Sequence, residues 1–433
     1  MLTFLGYAMV ASFMTLIMTR RMTALVALMI VPIVFSLFAG ADAQMGKMMM
    51  DGLVKLAPTA AMLFFGIIYF CIMTDAGLFD PLIRLVVRVA KGDPLRILVG
   101  TAILGIMVAL DGDGATTYVI CTLALLPIYK RIGIRLQYMA TLLLMSIGVM
   151  NILPWGGPTA RAASAMHLDV SDVFVPLIPA MLVGVAYIIG VATIFGIRER
   201  RRLGKASPAD ITAIETNLAE VPEYRRPKML PVNLALTIGL IYALIAGLLP
   251  LPILFMVATA LALLLNYPEI EDQKERLSAH AYNVLSVVSL IFAAGIFTGI
   301  LAGTGMLDAM SKSLLNVTPD WLGPYLAPFT AVLSGPATYV VTNDAFYFGV
   351  LPILANTAAF YGITPAEMAR ASLVGQPLHL LSPLVASTYL LVGLLDINYG
   401  QNQRSSILWV AGLMGAMLVG ALVFGVFPLK GSV

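Results

Sequence analysis

Leu110-Asp111-Gly112-Asp113-Gly114-Ala115-Thr116-Thr117 is the stretch whose reading decides the fold. It interrupts an apolar run from Leu98 to Tyr129 that otherwise has the composition of a lipid-buried helix, where neither bare charge nor open backbone is tolerated. One aspartate at a bilayer centre costs about 2.5 to 3.5 kcal/mol on insertion scales, and this stretch carries Asp111 and Asp113 two positions apart. Such a cost persists where a cation, a proton or a helix N-terminus offsets it, so the stretch reads as a binding site. The rival reading is a polar turn outside the membrane joining two short segments.

Composition sets the class around it. The chain of 433 residues is 60% hydrophobic and only 11% charged, with a mean hydropathy of +0.94. Soluble domains average about a quarter charged residues, so the expectation is an all-α polytopic membrane protein. A net charge of +3 gives no reason to expect a nucleic-acid partner. Cys71 and Cys121 both lie in apolar runs and build neither a disulfide framework nor a CxxC metal or redox motif. Arg20 and Arg21 follow the first apolar run instead of preceding it, so that run is expected to remain as a helix and not to act as a cleaved signal.

Apolar runs fall at about 2–19, 22–40, 57–77, 97–129, 137–166 and 173–197, then at about 229–248, 251–266, 283–305, 322–357, 366–395 and 404–428. Most match the about 20 residues that span a bilayer. The runs at 97–129 and 322–357 are too long for one span and too short for two, which suits re-entrant hairpins. The count is about 10 to 11 transmembrane helices plus two hairpins. Between residues 1–197 and 229–433 lies a polar linker, 198–228, with Arg198, Arg200, Arg201, Arg202 and Lys205 ahead of the helix-start signature Ser207-Pro208-Ala209-Asp210. Its basic residues put the linker in the cytoplasm and, counting outward, both termini outside. Most other basic residues then fall inside, including Arg84, Arg88, Lys91, Lys130, Arg131, Arg225 and Arg276, while Lys47, Lys55, Lys312, Arg370 and Lys430 fall outside.

The two halves echo one another. Gly77-Leu78-Phe79-Asp80 recurs as Gly305-Met306-Leu307-Asp308, Leu126-Pro127-Ile128 as Leu351-Pro352-Ile353, and Pro158 corresponds to Pro383. An odd number of crossings separates equivalent elements, so the repeats are expected in opposite orientation, the plan of secondary transporters with a midplane site.

Four breaks converge under that plan. They are Asp111 to Thr117; Ser334-Gly335-Pro336-Ala337-Thr338 running on to Thr342-Asn343-Asp344; Asn151 through Trp155-Gly156-Gly157-Pro158-Thr159; and Gly375-Gln376 through His379 to Ser382-Pro383. Gly and Pro, as at Gly112 and Gly114, open the helical ladder, so N–H groups at new helix N-termini favour anions and freed carbonyls or carboxylates favour cations. An anion travelling with a cation is the reading. Thr116, Thr117, Thr159, Ser334, Thr338 and Ser382 offer hydroxyls to the anion, each against the alternative of a bond to its own helix backbone. Arg161, deep inside a predicted span, holds a substrate carboxylate, pairs with Asp111, Asp113 or Asp344, or reaches the outer interface. Asp344 reads as a cation or proton site, and His379 as a titrating relay or a neutral ring bonded to a freed carbonyl. His167 and His280 fall near membrane ends and read as structural; Asp75 has no acidic counterpart in the other half and takes no role.

Leu110 to Tyr118, Leu126-Pro127-Ile128-Tyr129-Lys130-Arg131, and Asn151 through Trp155-Gly156-Gly157-Pro158-Thr159-Ala160-Arg161-Ala162-Ala163 together resemble the bacterial CitMHS family of citrate–metal:proton symporters, over essentially the whole chain. The resemblance implies membership of the ion transporter superfamily, location in the bacterial inner membrane, and a homodimer with a scaffold and a mobile transport domain working as an elevator. It implies further that citrate is imported as a complex with a divalent cation of Mg or Ca type, driven by protons, with no permanently bound cofactor and no enzymatic activity. The proton would ride on Asp111, Asp113, Asp344 or His379, with the first hairpin's aspartates ranked first. Two rivals are a sodium-coupled di- or tricarboxylate carrier on the same scaffold and an intramembrane aspartic protease, whose dyad would need Asp344 opposite the first hairpin.

Overall fold

The computed structural model describes residues 1–90, 92–112, 114–204 and 223–432. The expected helix start at Ser207–Asp210, Lys91, Lys205 and Asp113 lie outside the described residues. Every regular element among the described residues is helical. In the first half these are α1 (Leu2–Met18), α2 (Ala24–Phe38), α3 (Asp42–Ala76), α4 (Asp80–Ala90), α5 (Pro94–Val108), α6 (Gly114–Ile132), α7 (Leu136–Met150), α8 (Gly157–Met166), α9 (Val170–Phe174) and α10 (Ile178–Leu203). The second half gives α11 (Leu230–Ile245), α12 (Leu251–Asn266), α13 (Ile270–Gly303), α14 (Met306–Val317), α15 (Leu326–Val340), α16 (Leu351–Ala359), α17 (Pro365–Leu373), α18 (Gln376–His379), α19 (Ala386–Leu395) and α20 (Tyr399–Val423).

Local chemistry sets many of these ends. Thr23 accepts from the N–H of Val26 at the start of α2, Asp93 accepts from Leu95 at the start of α5, and Thr364 and Glu367 close a reciprocal cap on α17. Gly77 ends α3 with φ +91°, and Gly305 opens α14 with φ +75°, conformations that a side chain disfavours. Each turns the chain from a long helix into a shorter one, α4 or α14.

Among the described residues, six helical segments are long and apolar enough to cross a membrane: Asp42–Ala76, Pro94–Asp111, Val170–Leu203, Pro227–Leu244, Val284–Gly303 and Tyr399–Val423, with shorter apolar helices beside them. This corrects the expected spans at 57–77 and 283–305, which are parts of helices of 35 and 34 residues. At 1.5 Å per residue each is about 50 Å long, well beyond the about 30 Å of lipid hydrocarbon. Hydropathy marks where lipid composition begins; it does not mark where helix does, and Asp51, Lys55 and Glu275 are ordinary residues for a helix that has left lipid.

The helices pack in two groups. α3 and α13 lie along each other, with α1, α2, α12 and α14 around them. The second group joins α5, α6, α7 and α10 to α15, α17, α18, α19 and α20. α8 touches both groups, through α3 and α13 on one side and α17 on the other. The order long helix, short helix, hairpin, broken helix, final helix occurs once in each half, so each half supplies elements to both groups.

Candidate functional site

Three of the four expected breaks interrupt helix where the sequence puts them. Between α5 and α6 the chain makes a short 310 turn, Ala109–Asp111, then Gly112 at φ +77°. Between α7 and α8 residues 151–156 leave the helix, and between α18 and α19 residues 380–385 do so. The fourth is displaced. α15 runs straight through Ser334 to Thr338, Pro336 included, and breaks only at 341–342, just ahead of a π-helical segment, Ala345–Val350. π turns are rare and concentrate at functional sites.

These breaks surround a cavity of about 280 Å³ between the two helix groups, near the lower end of small-molecule sites. Asp111, Gly112 and Gly114 line it from the first tip, Asn151, Gly157 and Arg161 from the break and α8, and Asn343 and His379 from the second half. The first residues of α6 and of α8 thus form part of the wall, presenting the positive ends of two helix dipoles.

One long-range contact joins the two halves at the cavity. Arg161 Nε donates to Asp344 Oδ1 at 2.5 Å, with both side chains less than a fifth exposed. Gly157 permits this pose, since a Cβ there would lie 2.5 Å from an Arg161 terminal nitrogen. Asp111, 5% exposed, adds a second carboxylate. The described residues of the site therefore hold two carboxylates against one guanidinium.

Other predicted residues support the wall and do not face the cavity. Thr159 donates to Ile152 O at 2.6 Å, Thr338 to Ser334 O at 2.7 Å, Ser334 to Ala331 O at 2.9 Å, and Ser382 to Tyr339 O at 2.6 Å. Each hydroxyl has spent its proton on backbone: Ser334 and Thr338 on their own helix, the alternative any helical serine or threonine carries, Thr159 on the break before α8 and Ser382 on α15. Gly335 packs α15 against Leu378, and the space a Cβ would need at Gly156 is filled by the Asn151 carbonyl. Gln376 exchanges hydrogen bonds with Asn343 at 3.2 and 3.3 Å and donates to Tyr347, tying the second tip to the second break. Thr116 and Thr117, on the first turn of α6, have polar partners but are not in the cavity wall. His379 Nδ1 donates to Thr338 O at 2.7 Å, which leaves Nε2 as the ring's acceptor.

Trp155 is the residue that the list of polar candidates passed over. Its indole N–H donates to Leu110 O at 2.7 Å, satisfying a carbonyl that the first tip frees. The ring stacks on Phe70 at 4.6 Å and meets Phe255 edge-on at 5.2 Å, so an aromatic platform on α3 and α12 seats the tip. The signal was available: a tryptophan inside a Gly/Pro break needs an acceptor, and a nearby break supplies one. Ser286, Val287 and Ser387 also line the cavity, and no motif marks them.

Backbone breaks that meet around a charged cavity, inside a bundle of apolar helices, define a membrane transport protein. The chain belongs to the citrate transporter family, whose model matches residues 9–375. It is 53% identical over 426 residues to a citrate transporter of Bacillus subtilis (strain 168), covering 98% of this chain and 99% of that one. It is 46% identical over 434 residues to the Mg(2+)/citrate complex secondary transporter of the same organism, covering 99% and 100%. Among solved structures, the Alcanivorax borkumensis YdaH transporter superposes with a TM-score of 0.65 at 14% identity over 90% of each chain. Neisseria gonorrhoeae MtrF does so at 0.58 and 13%, over 89% of this chain and 84% of that one. Both likenesses are of fold. The family excludes the protease reading and makes the chain a transporter and not an enzyme.

Proposed function

We propose that the protein imports citrate as its complex with a divalent cation, in symport with protons. The observation that carries this is the charge at the cavity: Asp111 and Arg161 line it and Asp344 pairs with Arg161, which makes two carboxylates to one guanidinium among the described residues. A bare citrate trianion would meet net negative charge there, whereas a complex with a dication keeps about one negative charge and brings a cation to Asp111 and Asp344. The helix ends at Gly114 and Gly157 favour the carboxylate oxygens, at about 0.3 to 1 kcal/mol each. No cluster of three or more His, Cys, Asp or Glu among the described residues is arranged to hold a metal, so the dication would keep citrate oxygens and water in its shell. The relative that is named a Mg(2+)/citrate complex secondary transporter supports the same cargo.

The movement we propose is an elevator. The long helices α3 and α13 with their neighbours would form a scaffold, and the hairpins with the broken helices would move as a transport body. The repeated element order supports two inverted repeats, 1–197 and 229–433, with α5–α6 and α15–α16 as re-entrant hairpins, the linker cytoplasmic and both termini outside. The unit would be a homodimer in a bacterial inner membrane.

The test is uptake of radiolabelled citrate into proteoliposomes under an inward proton gradient, with Mg and Ca titrated separately against a chelator. Uptake that needs a divalent ion and collapses with a protonophore is the expected result and names the metal. Uptake that ignores metal and follows sodium overturns it in favour of a sodium-coupled carrier. Asp113→Asn is expected to lose proton-driven uptake; full uptake in that variant would remove Asp113 as a proton carrier.

A further inference from the structure

We propose that Asp75 and His280 form a second proton-binding station, outside the citrate cavity, on the α3–α13 seam at the end facing the linker. This rests on the proton-symport reading and says where the proton meets the aqueous phase. His280 Nε2 lies 2.8 Å from Asp75 Oδ2, and an Arg276 terminal nitrogen lies 3.4 Å from the same oxygen. The Asp75 and His280 side chains are 14% and 19% exposed, wet enough to exchange a proton with water and dry enough for its charge to be felt nearby.

The cluster is wired to the cavity by two helices. At about 3.6 residues per turn, Val287 on α13 repeats the face of His280 two turns on, and Val287 lines the cavity. On α3, Ile67, Cys71 and Asp75 follow at intervals of four, and Ile67 lines the cavity. His280 is therefore about 10 Å from the wall, a distance at which a unit charge inside protein alters the affinity for an anion by about tenfold.

The other charged and titratable groups around the pair leave His280 as the exchanging group. Arg276 lies over the ring of Tyr224 and also pairs with Glu275. Arg225 donates to the carbonyls of Thr74 and Asp75 and pairs with Asp80. Tyr267, at the end of α12, is pushed up to about 12 by burial and by Asp75. Arginines stay charged and this tyrosine stays neutral at physiological pH, while histidine changes charge between about pH 5 and 8. With Nε2–H already donating to the Asp75 carboxylate, the ring takes a further proton at Nδ1, which adds one positive charge to the seam; its release to water at this end removes that charge. Because the added charge favours an anion in the cavity, the anion equally favours the proton, which is the coupling that symport requires.

The experiment measures binding of citrate with saturating Mg to the purified full-length protein across about pH 5 to 8, and proton-driven uptake by the same preparations. His280→Gln and Asp75→Asn are both expected to lose about tenfold of the wild-type affinity change across that range. The titration of citrate itself is common to all three proteins and cancels. Both variants should keep citrate counterflow exchange while losing gradient-driven accumulation. If either variant does not fold, the other decides. A wild-type pH slope in the variant overturns the station. Wild-type uptake that ignores the gradient overturns the symport reading itself, whereas gradient-driven uptake that survives in the variants overturns the station alone.

Discussion

α3 and α13 run side by side, and their two ends are joined by opposite means. Toward the start of α3, Gly52 meets Gly295 and Gly299 backbone to backbone, and Gly303 makes room for Met48. Toward its end, Asp75, Arg276 and His280 meet through charge. In the numbering offset that aligns Gly77 with Gly305, Asp75 corresponds to Gly303, and Arg276 and His280 to Met48 and Gly52. One seam thus carries the same two positions in two chemistries. The glycine end holds its geometry by van der Waals contact. The charged end is partly wet and can change its protonation, and the cavity wall at Ile67 and Val287 lies between them. A single helix pair can in this way be a fixed strut at one end and respond to pH at the other.

The sharpest way to break this comparison is Gly52→Leu. The space it needs is occupied by the Gly295 carbonyl, which is backbone and cannot swing aside. The expected loss is about 3 kcal/mol or more, read as a collapse of thermal stability or of monodisperse protein in detergent. Next in size is Trp155→Phe, which keeps the aromatic platform but leaves Leu110 O without its donor; the expected cost is about 1 to 3 kcal/mol. If Trp155→Phe is as stable as wild type, the first tip is not seated from α3.

Gly303→Ala tests the glycine end more gently, because the methyl meets the flexible end of Met48 and not backbone. The expected cost is about 1 kcal/mol, and a cost equal to that of Gly52→Leu would remove the distinction between backbone and side-chain contact. The smallest effect is a pH slope at the charged end. Burial raises Asp80 above the ordinary carboxylate range, against the pull of Arg225 and Arg84. The folded state therefore holds a proton there that the unfolded chain has released, and stability falls as pH rises from about 3.9 through the folded value. Asp80→Asn is expected to flatten that part of the stability profile, whereas Gly303→Ala keeps the wild-type slope. An unchanged slope in Asp80→Asn would assign it to another group.

The residues show why some of this was legible beforehand. Gly112, Gly156, Gly157 and Pro383 announce breaks because they act on their own backbone, and three of the four breaks occur where they stand. Pro336 announced a break as well, yet α15 continues through it to Val340. Thr338 and Ser334 return their hydroxyls to the Ser334 and Ala331 carbonyls of that helix and play no part in opening it. The start of α3 is hidden from hydropathy for a related reason: nothing in Asp42 to Lys55 stops a helix, although it does stop an apolar run.

Composition and local pattern alone determined that this chain is a helical membrane protein with polar breaks in its apolar runs, a basic linker at its centre and the motifs of the citrate transporter family. Those properties depend on each residue's own solvation and on its neighbours a few positions away. Only the tertiary structure decided that Arg161 pairs with Asp344, 183 positions on, that Trp155 caps Leu110, and that Asp75 faces His280, 205 positions on. A guanidinium or an imidazole can satisfy any carboxylate within reach, so its type does not name its partner. Packing of α8 against the second hairpin and of α3 against α13 makes that choice, because it sets which groups lose water together.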